Sequence, residues 1–152
     1  MIATTTEATL GSRESVSRNG TSRVAARFLV VTRILIIDDD PDIRGVLADL
    51  LALAHQVVIA SNGADAIELI RAGDRFDVIL SDVMMPRLDG MQLYRELVEL
   101  APDQAQRMAF MSSGNQLAEV HLQLGSDRPY LEKPFDLSQL RRLVDDVLRR
   151  SR

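Results

Sequence analysis

The chain has 152 residues, 46% hydrophobic and 26% charged, with a formal net charge of −4 and a pI near 5.2. That length suits one domain that buries roughly 70% of the surface of its unfolded chain. The absence of cysteine excludes disulfides and thiolate metal sites, no run approaches the ~18 apolar residues of a membrane span, and the acidic balance argues against a nucleic-acid surface, which needs a basic face.

The charge is uneven. Residues 1–32 carry Arg13, Arg18, Arg23 and Arg27 against Glu7 and Glu14, a net of +2, which leaves −6 for the rest. The stretch 1–27 is rich in Ser, Thr and Arg without sustained periodicity, so residues 1–32 are expected to be a disordered tail ahead of one domain at 33–152. The tail also loosely resembles an organelle transit peptide, and an extension from a misassigned start codon is a third reading.

"FLVVTRILII" is a β-branched and aliphatic run and predicts a buried strand at Arg33–Ile37. In "DDDPDIRGVLADLLALA", Asp40 fits an N-cap and Pro41 the first helical position. Ile43, Val46, Leu47, Leu50 and Leu51 fall on one helical stripe. "HQVVIA" reads as a strand, "SNGADAIELIRAG" as a helix closed by Gly73, and "FDVILS" as a strand. "DGMQLYRELVELA" reads as a helix bounded by Pro102, "RMAFM" as a strand, "NQLAEVHLQLG" as a shorter helix, and "PYLE" as a brief strand. "DLSQLRRLVDDVLRR" closes the chain as a helix, with Asp136 and Gln139 spaced as a capping box. Five strands alternating with five helices predict an α/β fold, a doubly wound parallel sheet in a three-layer α/β/α sandwich. The continuous apolar strands suit a sheet buried on both faces.

In such a sheet, ligands bind beyond the carboxyl ends of the strands. Asp38 and Asp39 follow the first predicted strand, Asp82 the third, Ser112 and Ser113 the fourth, and Lys133 the fifth. Clustered carboxylates repel one another and call for a proton or cation. Oxygen ligands without His or Cys suit Mg²⁺, which leaves room for phosphoryl oxygens. A lysine supplies a compact positive charge for a phosphoryl oxygen, a serine hydroxyl a donor, and a carboxylate can itself be the nucleophile. Lys133 is the chain's only lysine beside seventeen arginines, which fits a site that needs an ammonium rather than a planar guanidinium.

Four segments in order, "ILIIDDDPDIR", "VILSDVMMPRLDG", "MAFMSSG" and "YLEKPFD", resemble the response-regulator receiver family, the phosphoacceptor module of two-component signalling. The resemblance covers about residues 33–150. It implies a flavodoxin-like sheet of order 2-1-3-4-5, with Asp82 as phosphoacceptor, Asp39 as direct and Asp38 as water-mediated Mg²⁺ ligand, and Met84 giving a backbone carbonyl to the metal. It further implies Ser112 as the switch hydroxyl, Tyr130 as the aromatic that reorients with it, Lys133 as the phosphate-binding lysine, a cis Lys133–Pro134 bond, and Asp89-Gly90 as the turn into the third helix. Asp40, third in the acidic run, is assigned to capping.

The implied function is a stand-alone, cytoplasmic phosphoacceptor. It would take a phosphoryl group from a histidine kinase or histidine phosphotransfer protein and switch a surface read by a downstream protein. That surface would comprise the fourth helix, fifth strand and fifth helix, with a possible homodimer through it. The domain is not classed as an enzyme, although some self-catalysed dephosphorylation is expected. With the chain ending at Arg152 just past the last predicted helix, no DNA-binding domain is expected. Two competing functions are a non-phosphorylated receiver-like scaffold and a small phosphohydrolase. Against the phosphohydrolase, Met84 stands two residues beyond Asp82 where a second acid would be needed. A P-loop NTPase is excluded by the absence of G-x-x-x-x-G-K-[ST].

Overall fold

Six strands form one sheet in the computed structural model, which describes residues 3–5 and 31–151. In chain order the elements are β1 (Ala3–Thr5), β2 (Arg33–Ile37), α1 (Pro41–Ala52), β3 (Gln56–Ala60), α2 (Gly63–Arg71), β4 (Val78–Asp82), α3 (Gly90–Leu100), α4 (Pro102–Ala105), β5 (Met108–Ser113), α5 (Leu117–Leu124), β6 (Tyr130–Lys133) and α6 (Leu137–Arg150). The sheet order is β1-β3-β2-β4-β5-β6. The five strands from β2 to β6 are parallel. Numbered among themselves they run 2-1-3-4-5, the order implied by the sequence.

Strand parity divides the interior into two layers, because successive side chains point to opposite faces. Ile34, Ile36, Val57, Val78, Leu80, Ala109 and Met111 pack with Leu47, Ala48 and Leu51 of α1 and Leu140, Leu143, Val144 and Val147 of α6. Leu35, Ile37, Val58, Ile79, Met108 and Phe110 pack with Ala66, Ile67 and Ile70 of α2, Leu93 and Leu97 of α3 and Val120 of α5. The central strands β2 and β4 are therefore apolar on both sides, which is why they read as continuous runs rather than alternating ones.

Helix starts follow local chemistry. The Asp40 side chain accepts from the Asp42 and Ile43 N–H groups with Pro41 in the first turn. Asp89 with Gln92 and Asp136 with Gln139 form reciprocal capping boxes at α3 and α6.

Three features differ from the sequence-based expectation. Within the expected tail, Ala3–Thr5 pairs antiparallel with the edge strand β3, Thr4 opposite Val58; residues 6–30 of that tail lie outside the described residues. A β-branched pair of threonines suits extended backbone, and β3 offers it the open edge of a parallel sheet. A sixth helical element, α4, follows α3 directly, since Pro102 ends one helix and suits the first turn of the next. Its Gln104 is buried and brackets Phe76, accepting from the Phe76 N–H at 2.9 Å and donating to the Phe76 carbonyl at 3.2 Å. On α1, Val46 does not join the core and is 58% exposed. The inward face is carried by Leu47, Ala48 and Leu51, because β2 and β3 lie against that side.

Candidate functional site

The carboxyl ends of four parallel strands converge on one edge of the sheet. Ile37 of β2 is in register with Ser81 of β4, so Asp38 leaves β2 beside Asp82 at the end of β4. Asp82 is in register with Met111 of β5, and Ser113 with Lys133 of β6, which brings Ser112 and Lys133 to the same rim.

Carboxylate oxygens of Asp38, Asp39 and Asp82 all lie within 4.8 Å of one another. Asp38 is fully buried, whereas Asp39 is exposed. The Lys133 ammonium stands 2.9 Å from Asp38 Oδ2 and 3.2 Å from Asp82 Oδ2, with the lysine side chain 18% and the Asp82 side chain 13% exposed. Burial pushes the Asp82 carboxyl above its ordinary value; Lys133 opposes that rise, and the neighbouring Asp38 adds to it. The Met84 N–H also bonds to the Asp82 carboxylate and favours its ionised form. Burial alone would lower the Lys133 pKa, but hydrogen bonding and charge from Asp38 and Asp82 outweigh it and hold the lysine above its ordinary value. The rim therefore holds a charged ammonium between carboxylates that otherwise repel.

Asp38 is fixed at four points. Its N–H donates to the Ala60 carbonyl at 3.3 Å, its Oδ1 accepts from the Asp40 N–H at 3.0 Å, its Oδ2 accepts from Lys133, and its carbonyl accepts from Arg44 Nη1 at 2.8 Å. Behind Asp82, α3 begins at Gly90, whose N–H donates to the Val83 carbonyl at 3.0 Å. A Cβ on Gly90 would stand 2.4 Å from the Asp82 carbonyl oxygen, so this approach of helix to strand end needs glycine.

Ser112 is fully buried, and its hydroxyl bonds to the Tyr130 hydroxyl. Both side chains share one sheet face, because Ser112 is in register with Glu132, two residues past Tyr130. The Tyr130 ring is half-buried and meets His121 of α5 edge-on, centroids 6.4 Å apart. The Met84 side chain is 61% exposed in the loop after β4. The Lys133–Pro134 bond is cis, as the resemblance implied.

The structure thus brings together Asp38, Asp39, Asp82 and Lys133 as one cluster, and pairs Ser112 with Tyr130 beside it. Asp40 caps α1 and lends the cluster its N–H. The sequence reading missed Arg44 and the close approach at Gly90. The only signal for the first was an arginine one helical turn past the acidic run; for the second it was the Asp-Gly dipeptide. The set of three oxygen donors without His or Cys fits a hard cation such as Mg²⁺. Among the described residues no helix is long and apolar enough to cross a membrane.

Comparison with known proteins agrees with this geometry. The family description "Response regulator receiver domain" matches residues 34–145. The response regulator MprA of Mycolicibacterium vanbaalenii is 37% identical over 122 residues, 78% of this chain and 51% of that protein. MprA of Mycobacterium ulcerans is also 37% identical, over 123 residues. The chain spans about half the length of these relatives. Among solved structures, a response regulator receiver domain protein from Clostridium thermocellum superposes with a TM-score of 0.71 at 25% identity, covering 79% of this chain and 96% of that one. A response regulator receiver protein from Sinorhizobium medicae WSM419 does so with a TM-score of 0.70 at 26% identity, covering 82% and 99%. The chain belongs to the response regulator receiver domain family, the phosphoacceptor modules of two-component signalling.

Proposed function

We propose that Asp82 is the phosphoacceptor of this receiver domain. One Asp82 carboxylate oxygen attacks the phosphorus of a phosphohistidine on a histidine kinase or phosphotransfer protein. The P–N bond breaks, the imidazole nitrogen keeps the electron pair and takes up a proton, and Asp82 becomes an acyl phosphate. The observation that carries the reading is the Lys133 ammonium held between Asp38 and Asp82 at 2.9 and 3.2 Å. A cation already placed at the nucleophile can follow the charge onto a phosphoryl oxygen.

Asp38, Asp39 and Asp82, with the Met84 carbonyl, are the groups that would hold Mg²⁺; when bound it neutralises phosphoryl oxygens, the main requirement of phosphoryl transfer. Asp38 is held by the Asp40 N–H at its carboxylate and by its own N–H on the Ala60 carbonyl, and need not reorganise. Lys133 moves from Asp82 Oδ2 to a phosphoryl oxygen. Ser112 turns its hydroxyl toward a second oxygen, and Tyr130, its present partner, follows. Tyr130 contacts His121, so the change reaches α5 and alters a surface of α5, β6 and α6 that a downstream protein reads or through which two copies pair. Slow return by hydrolysis of the acyl phosphate completes the cycle. A cytoplasmic location suits a kinase partner of this kind.

The test is incubation of the full chain with a small-molecule phosphodonor and Mg²⁺, read by intact mass. The expected result is one added phosphoryl group, lost in Asp82→Asn and without Mg²⁺. A wild-type chain that stays unmodified across several donors would refute the assignment.

A further inference from the structure

Arg44 lies on α1, outside the acidic cluster, yet its Nη1 donates to the Asp38 carbonyl at 2.8 Å. Its own N–H donates to the Asp40 carbonyl at 3.0 Å. Between these two bonds the segment Asp38–Asp40 is stapled to the first turn of α1. The staple bears on the buried Asp38 carboxylate, whose Oδ1 depends on the Asp40 N–H. It also bears on Asp39, which lies between the two anchored carbonyls and whose exposed carboxylate completes the three-oxygen cluster. Among the described residues no side-chain hydrogen bond holds the Asp39 carboxylate in place, so its position follows from the backbone that Arg44 fixes.

We infer that Arg44 is a positioning residue for divalent-cation binding: its guanidinium, by anchoring the Asp38 carbonyl, sets the backbone that aims Asp38 and Asp39 at the cation. The inference rests on the reading of the cluster as a Mg²⁺ site. It has a sign that separates it from simple electrostatics. A positive charge this near three carboxylates weakens cation binding through repulsion, so its removal would tighten binding if charge were all that mattered. Loss of an anchor one step removed from the ligands weakens metal binding by roughly 10–100-fold.

The experiment is calorimetric titration of the full chain with Mg²⁺ alone, no phosphodonor being present. Wild type, R44Q and R44K are compared, with folding confirmed by circular dichroism. R44Q is expected to bind Mg²⁺ about 10-fold or more weakly than wild type, and R44K, which keeps the charge and one donor, to fall between them. R44Q binding as tightly as wild type, or more tightly, overturns the inference. If R44Q does not fold, R44K decides: weaker binding supports it and an unchanged Kd overturns it. A wild-type chain that binds no Mg²⁺ would instead remove the metal-site reading itself, an outcome distinct from an unaltered R44Q.

Discussion

Lys133, at the end of β6, reaches past β5 to Asp82 at the end of β4, with Nζ 3.2 Å from Oδ2, and the same ammonium lies 2.9 Å from the fully buried Asp38. One cation thus balances two carboxylates drawn from different strands. Removing it leaves Asp38 buried and short of its counter-charge.

Lys133→Met is therefore expected to lower unfolding free energy in EDTA at pH 7 by about 1–3 kcal/mol, less than for a fully enclosed pair because water reaches the lysine. Mg²⁺ should recover most of that loss, since a divalent ion bound only to the folded state takes over the neutralising role. The lysine pKa is raised by its two carboxylate partners despite burial, so its stabilisation is complete below its ordinary 10.5 and is lost as pH rises through the folded value. Urea titrations of both proteins with and without Mg²⁺ check this. A stability gap indifferent to Mg²⁺ would show that the lysine is not standing in for a cation.

Asp82 carries the opposite sign. Its carboxyl is raised above the ordinary 3.8, first by burial and then by Asp38, with Lys133 opposing. In the window above 3.8 the folded state binds more protons than the unfolded one, so this group makes stability fall as pH rises toward its folded value. Asp82→Asn should thus be the more stable protein in metal-free buffer at pH 7, by roughly 0.5–1 kcal/mol since solvent reaches the group. The advantage should fade as pH approaches 4. A gap of equal size at pH 4 and pH 7 would assign the gain to something other than titration.

Ser112 and Tyr130 satisfy each other's hydroxyls, with Ser112 fully buried. Ser112→Ala leaves the half-buried Tyr130 hydroxyl without that partner, which costs about 1 kcal/mol or more. The tyrosine should relieve the deficit by turning outward. Tyr130→Phe leaves the Ser112 hydroxyl its bond to the Ser113 carbonyl at 3.2 Å and should cost less. Stability of both single variants and the double variant gives the coupling energy, and quenching of tyrosine fluorescence in Ser112→Ala reads the ring's exposure. Additive stabilities with unchanged quenching would dissolve the pair as a unit.

Much of this arrangement was legible in the residues. Arg33–Ile37 read as a strand because a run apolar on both faces has no other economical place than the centre of a sheet. Asp40 and Pro41 fixed the start of α1 through chemistry confined to neighbouring residues. The meeting of Asp38, Asp39, Asp82 and Lys133 followed from strand ends alone, because a parallel sheet gathers them on one edge. What was not legible depends on reach across the fold. Gln104 is buried because the backbone of Phe76, 28 residues away, offers it both a donor and an acceptor. Arg44 fits a solvated helix face until its side chain is seen to turn back onto Asp38. Val46 lies on the apolar stripe of α1 but is left exposed beside a groove of about 270 Å³ shared with Phe135 and Leu137, since periodicity marks a face and not the width of the neighbour that covers it.

Two glycines test how closely the fold is drawn in around Asp82. At Gly90 an added Cβ would stand 2.4 Å from the Asp82 carbonyl oxygen, 3.1 Å from Ser81 Oγ and 3.2 Å from Val83 Cα, so backbone at the end of β4 must move to admit it. At Gly45, inside α1, nothing lies within 4 Å of an added Cβ. Gly90→Ala is expected to lose about 1–3 kcal/mol, as forced overpacking does. Gly45→Ala is expected to gain about 0.5–1 kcal/mol through helix propensity and a less flexible unfolded chain. The two should diverge in function as well. Gly90→Ala displaces the carbonyl of Asp82, the proposed phosphoacceptor, and should lower phosphorylation by a small-molecule donor at temperatures where the protein is still folded. Gly45→Ala should leave it unchanged. Urea midpoints and intact-mass yields on both variants decide the point: a Gly90→Ala protein of full stability and full phosphorylation would mean that α3 can retreat from Asp82 without consequence, and that the closeness of helix and strand end plays no part in shaping the site.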